Sequence, residues 1–162
     1  MSTLDEIDRQ IIDIIQDDGR IKRNELAVRV NLSLPAVSER LRRLEEVGIV
    51  LGYTALLNYK RLGKDITAFV FVNVDSSKHF LQFVEHAQKQ EDVLECHAIT
   101  GDGTHLLKVR TTNAESLEKL LAKIQSWPGV LHTRTNVVLS SPKESTKIKV
   151  NEASLPHSGK GS

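Results

Sequence analysis

Residues Ile66 to Val74 read ITAFVFVNV. The run is rich in beta-branched and aromatic residues and is apolar on both alternations, which suits a strand rather than an amphipathic helix. A strand with one wet face alternates apolar and polar positions, so this one needs cover on both faces. The residues that follow supply one cover. SKHFLQFVEHAQKQ reads as a helix with Phe80, Phe83, Val84 and Ala87 on one face, VLECHAI as a strand, TGDGTH as a turn and LLKVRT as another strand. NAESLEKLLAKIQSW is a helix capped by Asn113, with Glu115 and Ser116 in its first turn and Leu117, Leu120, Leu121 and Ile124 as its stripe. Pro128 and Gly129 close it, and VLHTRTNVVL is the last clear strand. Strand, helix, strand, strand, helix, strand is the split βαβ, ferredoxin-like order. Both helices cover one face of such a sheet. A second subunit is expected on the other, giving a dimer through the sheet. A looser covering by the tail is the alternative.

The first third of the chain has a different period. Leu4, Ile7, Ile11, Ile14 and Ile15 recur at three- and four-residue steps, DDGR breaks the pattern, and Ile21, Leu26, Ala27 and Val30 resume it. After the short turn NLS, Ser33 is placed to cap a third helix, Pro35 fits its first turn, and Val37, Leu41 and Leu44 form its apolar stripe. Gly48 ends it, and IVLGYTALL suits a short hairpin or wing. Helices this short cannot each bury a face alone. Packed together, with a tight join between the second and third, they make a helix-turn-helix. The fold class expected is α+β, a winged helix-turn-helix over residues 1–51 followed by a ferredoxin-like domain over 65–150. Residues 52–64 form the linker, in which NYKRLGK is polar with a glycine. STKIKV, near residue 150, suits an added edge strand, and 151–162 read as a disordered tail.

Charge and composition exclude several classes. The chain has 162 residues and a formal net charge of +1, from 22 basic and 21 acidic residues, so any nucleic-acid surface must be local. The one cysteine, Cys96, excludes an internal disulfide and a cysteine-rich zinc module, and its setting suggests a buried thiol. The opening MSTLDEIDRQ lacks the apolar core of a signal peptide, and no stretch reaches the roughly 18 apolar residues of a membrane span. A soluble, cytoplasmic protein without a membrane partner is expected.

The third helix carries the best candidate for chemistry. With Val37, Leu41 and Leu44 inward, Pro35, Ser38, Glu39, Arg42 and Arg43 point broadly outward, the layout a groove-reading helix needs. Ser38 can donate or accept at a base edge, Glu39 can accept from cytosine N4, and Arg42 can reach guanine or hold a phosphate. Arg43 and Arg40 are placed as phosphate clamps, amides near Ser33 can meet a phosphate, and Arg20, Lys22 and Arg23 add charge nearby. Ordinary ion pairs among Glu39, Arg42, Arg43, Glu45 and Glu46 are the bland alternative. Residues 1–50 contain eight Lys/Arg and ten Asp/Glu, a formal −2, which argues against tight binding by one copy. A dimer doubles the phosphate contacts.

Other polar groups point less clearly. His79 and His86 lie seven apart on one helix without a third ligand, so no metal is expected. His97, His105 and His132 are candidates to converge on the open side or edge of the sheet, but no nucleophile or cofactor loop joins them, and no catalytic residue is assigned. GDGTH, with Gly101, Asp102, Gly103, Thr104 and His105, lacks a phosphate-loop pattern. It reads either as a flexible strand connection or as part of a small-molecule pocket at a subunit boundary. Three functions remain on these residues: a DNA-binding regulator, a sensor or scaffold that has lost DNA binding, and a small ferredoxin-like enzyme.

The layout as a whole resembles the Lrp/AsnC, or feast/famine, family of bacterial and archaeal transcription regulators. Leu4, Asp5, Asp8, Ile11 and Ile12 fit its opening pattern, and Asp18, Gly19 and Arg20 its Asp-Gly-Arg. Leu32, Ser33, Arg40, Leu44, Glu45, Gly48 and Ile49 fit its recognition-helix pattern. GYTALLN, CHAITGDGTHLLKVR and WPGVLHTRT resemble its connecting and regulatory parts, so the likeness runs from about residue 4 to 150. It implies double-stranded DNA as partner, dimers that assemble further, often as octamers, and an amino-acid effector bound near the loop at Gly101 to Thr104 in place of any cofactor. It also implies that Pro35, Ser38, Glu39 and Arg42 face the bases. Two departures stand out. The family's Gly-Asp-x-Asp-Tyr loop is here GDGTH, with Thr104 for the second acid and His105 for the aromatic, and Lys22 replaces the usual Ser or Thr cap of the second helix.

Overall fold

The computed structural model describes residues 4–150; the tail expected over 151–162 lies outside the described residues. The chain forms two compact units. One comprises residues 4–56 with 143–150, and the other residues 57–142.

In the first unit α1 spans Glu6–Asp17, α2 Arg23–Arg29 and α3 Leu34–Glu46. Asp5 caps α1 reciprocally with Asp8: the Asp8 N–H donates to Asp5 Oδ1 at 2.8 Å and the Asp5 N–H to Asp8 Oδ2 at 3.2 Å. Lys22, at the α2 cap position, makes no capping bond, as its chemistry requires. The turn into α3 is set by Asn31, whose backbone is left-handed at φ 53°, a region asparagine tolerates better than most residues. Its N–H donates to Val28 O and that of Leu32 to Ala27 O, so the last carbonyls of α2 are satisfied as the chain reverses. Gly48, φ 74°, ends α3 the same way, with the Ile49 N–H donating to Leu44 O. Leu4, Ile11 and Ile12, Leu26, Ala27 and Val30, and Val37, Leu41 and Leu44 make one buried cluster. Each fully buried leucine or isoleucine contributes roughly 1.5–3 kcal/mol of transfer free energy.

The second unit opens with a 3-10 turn, Lys60–Leu62. The elements β1 (Ile66–Val74), α4 (Ser77–Lys89), β2 (Val93–Ala98), β3 (His105–Thr111), α5 (Ala114–Gln125) and β4 (Val130–Val137) follow. The strands lie in the order β2-β3-β1-β4 and every neighbouring pair is antiparallel. This is the ferredoxin-like sheet expected from the order of elements. Ala68, Val70, Val72 and Val74 of β1 and Leu107 and Val109 of β3 pack with Phe83, Ala87, Leu117, Leu120, Ile124 and Trp127 from the helical side. Asn113 caps α5 in a reciprocal pair with Ser116. Gly129 turns the chain into β4 at φ 80°, and a Cβ there would fall 2.5 Å from His79 Cβ, so no side chain fits.

Three features differ from expectation. The segment after Gly48 forms no hairpin among the described residues, and Leu51 and Leu56 stay exposed. The amides of Ile49 and Val50, which would begin a ladder, both donate to Leu44 O. STKIKV adds no edge strand. It packs on α1 instead: Gln16 accepts from the Ile148 N–H at 2.8 Å and donates to its carbonyl at 3.1 Å, Lys147 pairs with Asp17 at 2.6 Å, and Val150 packs on the helical core. Residues 143–150 therefore group with the helices rather than with the sheet, and the sheet unit begins at Leu57, within the expected linker.

Candidate nucleic-acid interface and effector loop

On α3 the apolar stripe faces inward and Pro35, Glu39 and Arg42 are exposed, with Ser38 half-buried beside them. Ser33 accepts from the Ala36 N–H at 3.3 Å, so its hydroxyl oxygen is engaged as the helix cap. Arg42 donates through Nε to Glu39 at 3.0 Å and through Nη2 at 2.5 Å, and its Nη1 pairs with Glu46. The Arg42 hydrogen bond holds the Glu39 carboxyl below its usual range, and the two acids reinforce the Arg42 charge. Arg20 and Lys22 are exposed in the connection before α2.

Arg43 departs from its expected role as an outward phosphate clamp. Its Nη2 reaches back to Asp8 Oδ2 at 2.5 Å, and Arg40, the second expected clamp, donates to Asp8 Oδ1 at 2.8 Å and to Asp5 at 2.6 Å. Asp8 is fully buried, and a buried carboxylate must be paired. The sequence carried a signal: Asp8 stands one helical turn from Leu4 and from Ile11 and Ile12, an acid within an apolar stripe. The Tyr53 hydroxyl donates to Glu45 at 3.0 Å, a contact that no local sequence pattern signals.

The loop between β2 and β3 divides in two. Gly101, φ 98°, and Asp102 are exposed, and both terminal nitrogens of Arg134 approach Asp102 Oδ2 at 3.3 Å. Gly103 is buried, and a Cβ on it would press on Val72 O at 3.3 Å. Thr104 stitches the loop to β1: its N–H donates to Val72 O at 3.0 Å, and its hydroxyl donates to the same oxygen at 3.1 Å and accepts from the Val74 N–H at 3.0 Å. His105 is not part of an open pocket. It lies in the core against Phe80 and Phe83, with ring centroids at 4.9 and 4.7 Å, and burial lowers its pKa. Position explains the correction: His105 alternates with Leu107 and Val109, on the helix-covered side. The three histidines therefore do not converge. His97 sits on edge strand β2 beside Glu95 at 3.1 Å, and His132 on the opposite edge, β4, beside Asn73 at 2.8 Å. No group of three metal-ligating side chains forms among the described residues. Cys96 packs against the core, where burial pushes its thiol pKa up.

The other side of the sheet has an apolar centre, Phe69, Phe71 and Leu106, none of them fully buried. Its margin is charged: Lys108 meets Glu95 at 3.2 Å, the Arg134 guanidinium lies 4.8 Å from the Phe71 ring centre, and that of Arg110 lies 3.7 Å from the Tyr59 ring centre. No helix among the described residues is long and apolar enough to cross a membrane.

Two family models match successive parts of the chain. Residues 4–50 match the family model for winged helix-turn-helix DNA-binding, and residues 67–148 match that for the Lrp/AsnC ligand binding domain. The leucine-responsive regulatory proteins of Escherichia coli and Klebsiella pneumoniae are each 41% identical over 150 residues, spanning 91% of this chain and 92% of theirs. A transcriptional regulator from Neisseria meningitidis, solved in complex with L-methionine, superposes with a TM-score of 0.86 at 32% identity, over 90% of this chain and 96% of that one. A feast or famine regulatory protein of Mycobacterium tuberculosis complexed with L-methionine gives 0.82 at 33%, over 91% and 99%. AsnC of Escherichia coli gives 0.83 at 26%, over 90% and 98%.

Proposed function

The chain belongs to the Lrp/AsnC family of oligomeric, DNA-binding transcription regulators, and from that premise we propose that α3 reads operator DNA with Pro35, Ser38, Glu39 and Arg42. Arg20, Lys22 and the backbone near Ser33 hold phosphates beside it. One observation carries this reading. Of the three arginines on α3, Arg42 alone pairs only with exposed acids, so it can exchange them for a guanine edge or a phosphate at little cost. In a two-fold dimer the paired helices enter successive major grooves, about 34 Å apart or a multiple of that. The apolar centre at Phe69, Phe71 and Leu106 favours pairing through the sheet, with further assembly toward an octamer. An amino acid is the effector class, supported by the two relatives solved with L-methionine. Gly101 and Asp102 form its open site, with Gly103 and Thr104 fixing the loop, and binding favours one assembly over another. The setting is cytoplasmic.

Footprinting of the purified protein, with and without each amino acid, tests both halves. A protected, periodic site that shifts with one amino acid is expected. Equal affinity for a scrambled duplex defeats the DNA half. Absence of heat on titration with every amino acid, with unchanged assembly, defeats the effector half.

A further inference from the structure

We propose that Asp8 is a positioning residue for DNA recognition: from the buried face of α1 it withdraws Arg40 and Arg43 from the DNA backbone and fixes the outward face of α3. The inference rests on α3 being the reading helix. Asp8 has no exposed surface, and both its oxygens are taken, Oδ1 by Arg40 at 2.8 Å and Oδ2 by Arg43 at 2.5 Å. Arg43 Nε is buried without a hydrogen-bond partner among the described residues. The guanidinium thus gives up one donor to reach the carboxylate, which a side chain free to extend into solvent would not do. Asp5 adds a second carboxylate on Arg40 at 2.6 Å and is itself tied to Asp8 by the α1 cap.

Two consequences follow. A cation bound to a buried carboxylate releases no counterion from DNA, so Arg40 and Arg43 add nothing to sequence-independent affinity. Two contacts three residues apart on α3, converging on one carboxylate of α1, also fix how α3 is rolled about its axis. Ser38, Glu39 and Arg42 are then presented at one angle to the groove. Freed, the two long side chains hold phosphates in many registers, and the roll is no longer fixed.

The test uses the full chain, a duplex recovered by in vitro selection with the wild-type protein, and the same duplex with its base order scrambled. Binding to both is followed by fluorescence anisotropy over a salt series. Asp8→Asn keeps the shape and removes the charge. It should bind the scrambled duplex more tightly, steepen the salt dependence by about 0.9 for each guanidinium that finds a phosphate, and narrow the preference for the selected site. Equal weakening on both duplexes with an unchanged slope overturns the proposal and leaves Asp8 only a folding role. Arg43→Gln in the otherwise wild-type chain keeps the Asp8 charge and its pair with Arg40, and it decides the matter if Asp8→Asn fails to fold. Its salt slope should match the wild type, and a slope shallower by about 0.9 makes Arg43 a phosphate clamp and overturns the proposal. If selection recovers no preferred duplex, it is the reading of α3 itself that fails.

Discussion

Arg40 and Arg43 on one side of α3 and Arg42 on the other are the same residue type on the same helix, each paired with two carboxylates or sharing one. Their surroundings make them different devices. Asp8, which holds the first two, is 0% exposed, whereas Glu39 and Glu46, which hold Arg42, are 64% and 56% exposed. Stripping the partners from a buried carboxylate costs several kcal/mol, because water cannot replace them. An exposed carboxylate that loses its arginine is rehydrated at a cost below about 1 kcal/mol. Charge counting treats the three alike and gives a module of formal −2. The buried carboxylate separates them into two that hold the fold and one that DNA can recruit.

The largest effect should come from breaking the inner set. Asp8→Ala takes the carboxylate from Arg43, leaves Arg40 with Asp5 alone, and removes the half of the α1 cap that the Asp5 N–H makes with Asp8. A loss of roughly 3 kcal/mol is expected, the low end for a broken buried pair, since Arg40 and Arg43 keep 25% and 40% of their side chains exposed. Hydrogen exchange of the α1 and α3 amides, read separately from those of the sheet, measures it. A loss below about 1 kcal/mol, the range of surface pairs, erases the distinction.

Breaking the outer set should leave the fold intact and change the reading. Arg42→Ala is expected to cost roughly 1–3 kcal/mol at one base position if the contact with guanine is bidentate. Anisotropy against a panel of single-base variants of the selected duplex locates it. A uniform loss over the whole panel reassigns Arg42 to the phosphates.

The comparison also marks what the sequence could reveal. The order of elements, the caps at Ser33 and Asn113, the left-handed stop at Gly48 and the absent cap at Lys22 are local chemistry, and each is legible within a few residues. The inward turn of Arg43 is not local. It depends on an acid thirty-five residues earlier, whose placement in an apolar stripe hinted at burial but not at its partners. His105 misled for a different reason: its Gly-rich neighbours suggested an open loop, while strand alternation put its ring under α4. Residues 145–150 have strand-like composition, yet Gln16 and the core beside α1 offered better partners than a sheet edge. Long-range competition decided Arg43 and residues 145–150, whereas the alternation of its own strand decided His105.

Acid separates the sets more gently. Partial burial alone would raise the Asp5 carboxyl, but the Asp8 N–H and Arg40 outweigh it, and its pKa falls below 3.8; Glu39, held by the Arg42 hydrogen bond, falls below 4.5. Both groups bind fewer protons folded than unfolded. The stability they contribute is therefore complete above those ordinary values and is lost as pH falls through the lower folded ones. Circular dichroism should show the helices unaffected by these two groups down to about pH 5 and weakening below their ordinary range. Asp5→Asn should flatten that acid loss more than Glu39→Gln, because Asp5 belongs to the inner network. The reverse order contradicts the assignment.

The smallest effect is the most discriminating, since it asks the outer set to be dispensable. Glu46→Gln removes the charge of one exposed partner, and Glu39 still holds Arg42 through two bonds, at 3.0 and 2.5 Å. Thermal stability should change by only about 0.3–0.5 kcal/mol, the worth of an exposed i,i+4 pair. DNA affinity should rise on matched and scrambled duplexes alike, because a negative charge facing the phosphates has gone and Arg42 is held less firmly. A stability loss on the scale of Asp8→Ala means that Glu46 and Arg42 are structural, and then no arginine on α3 is free for the groove.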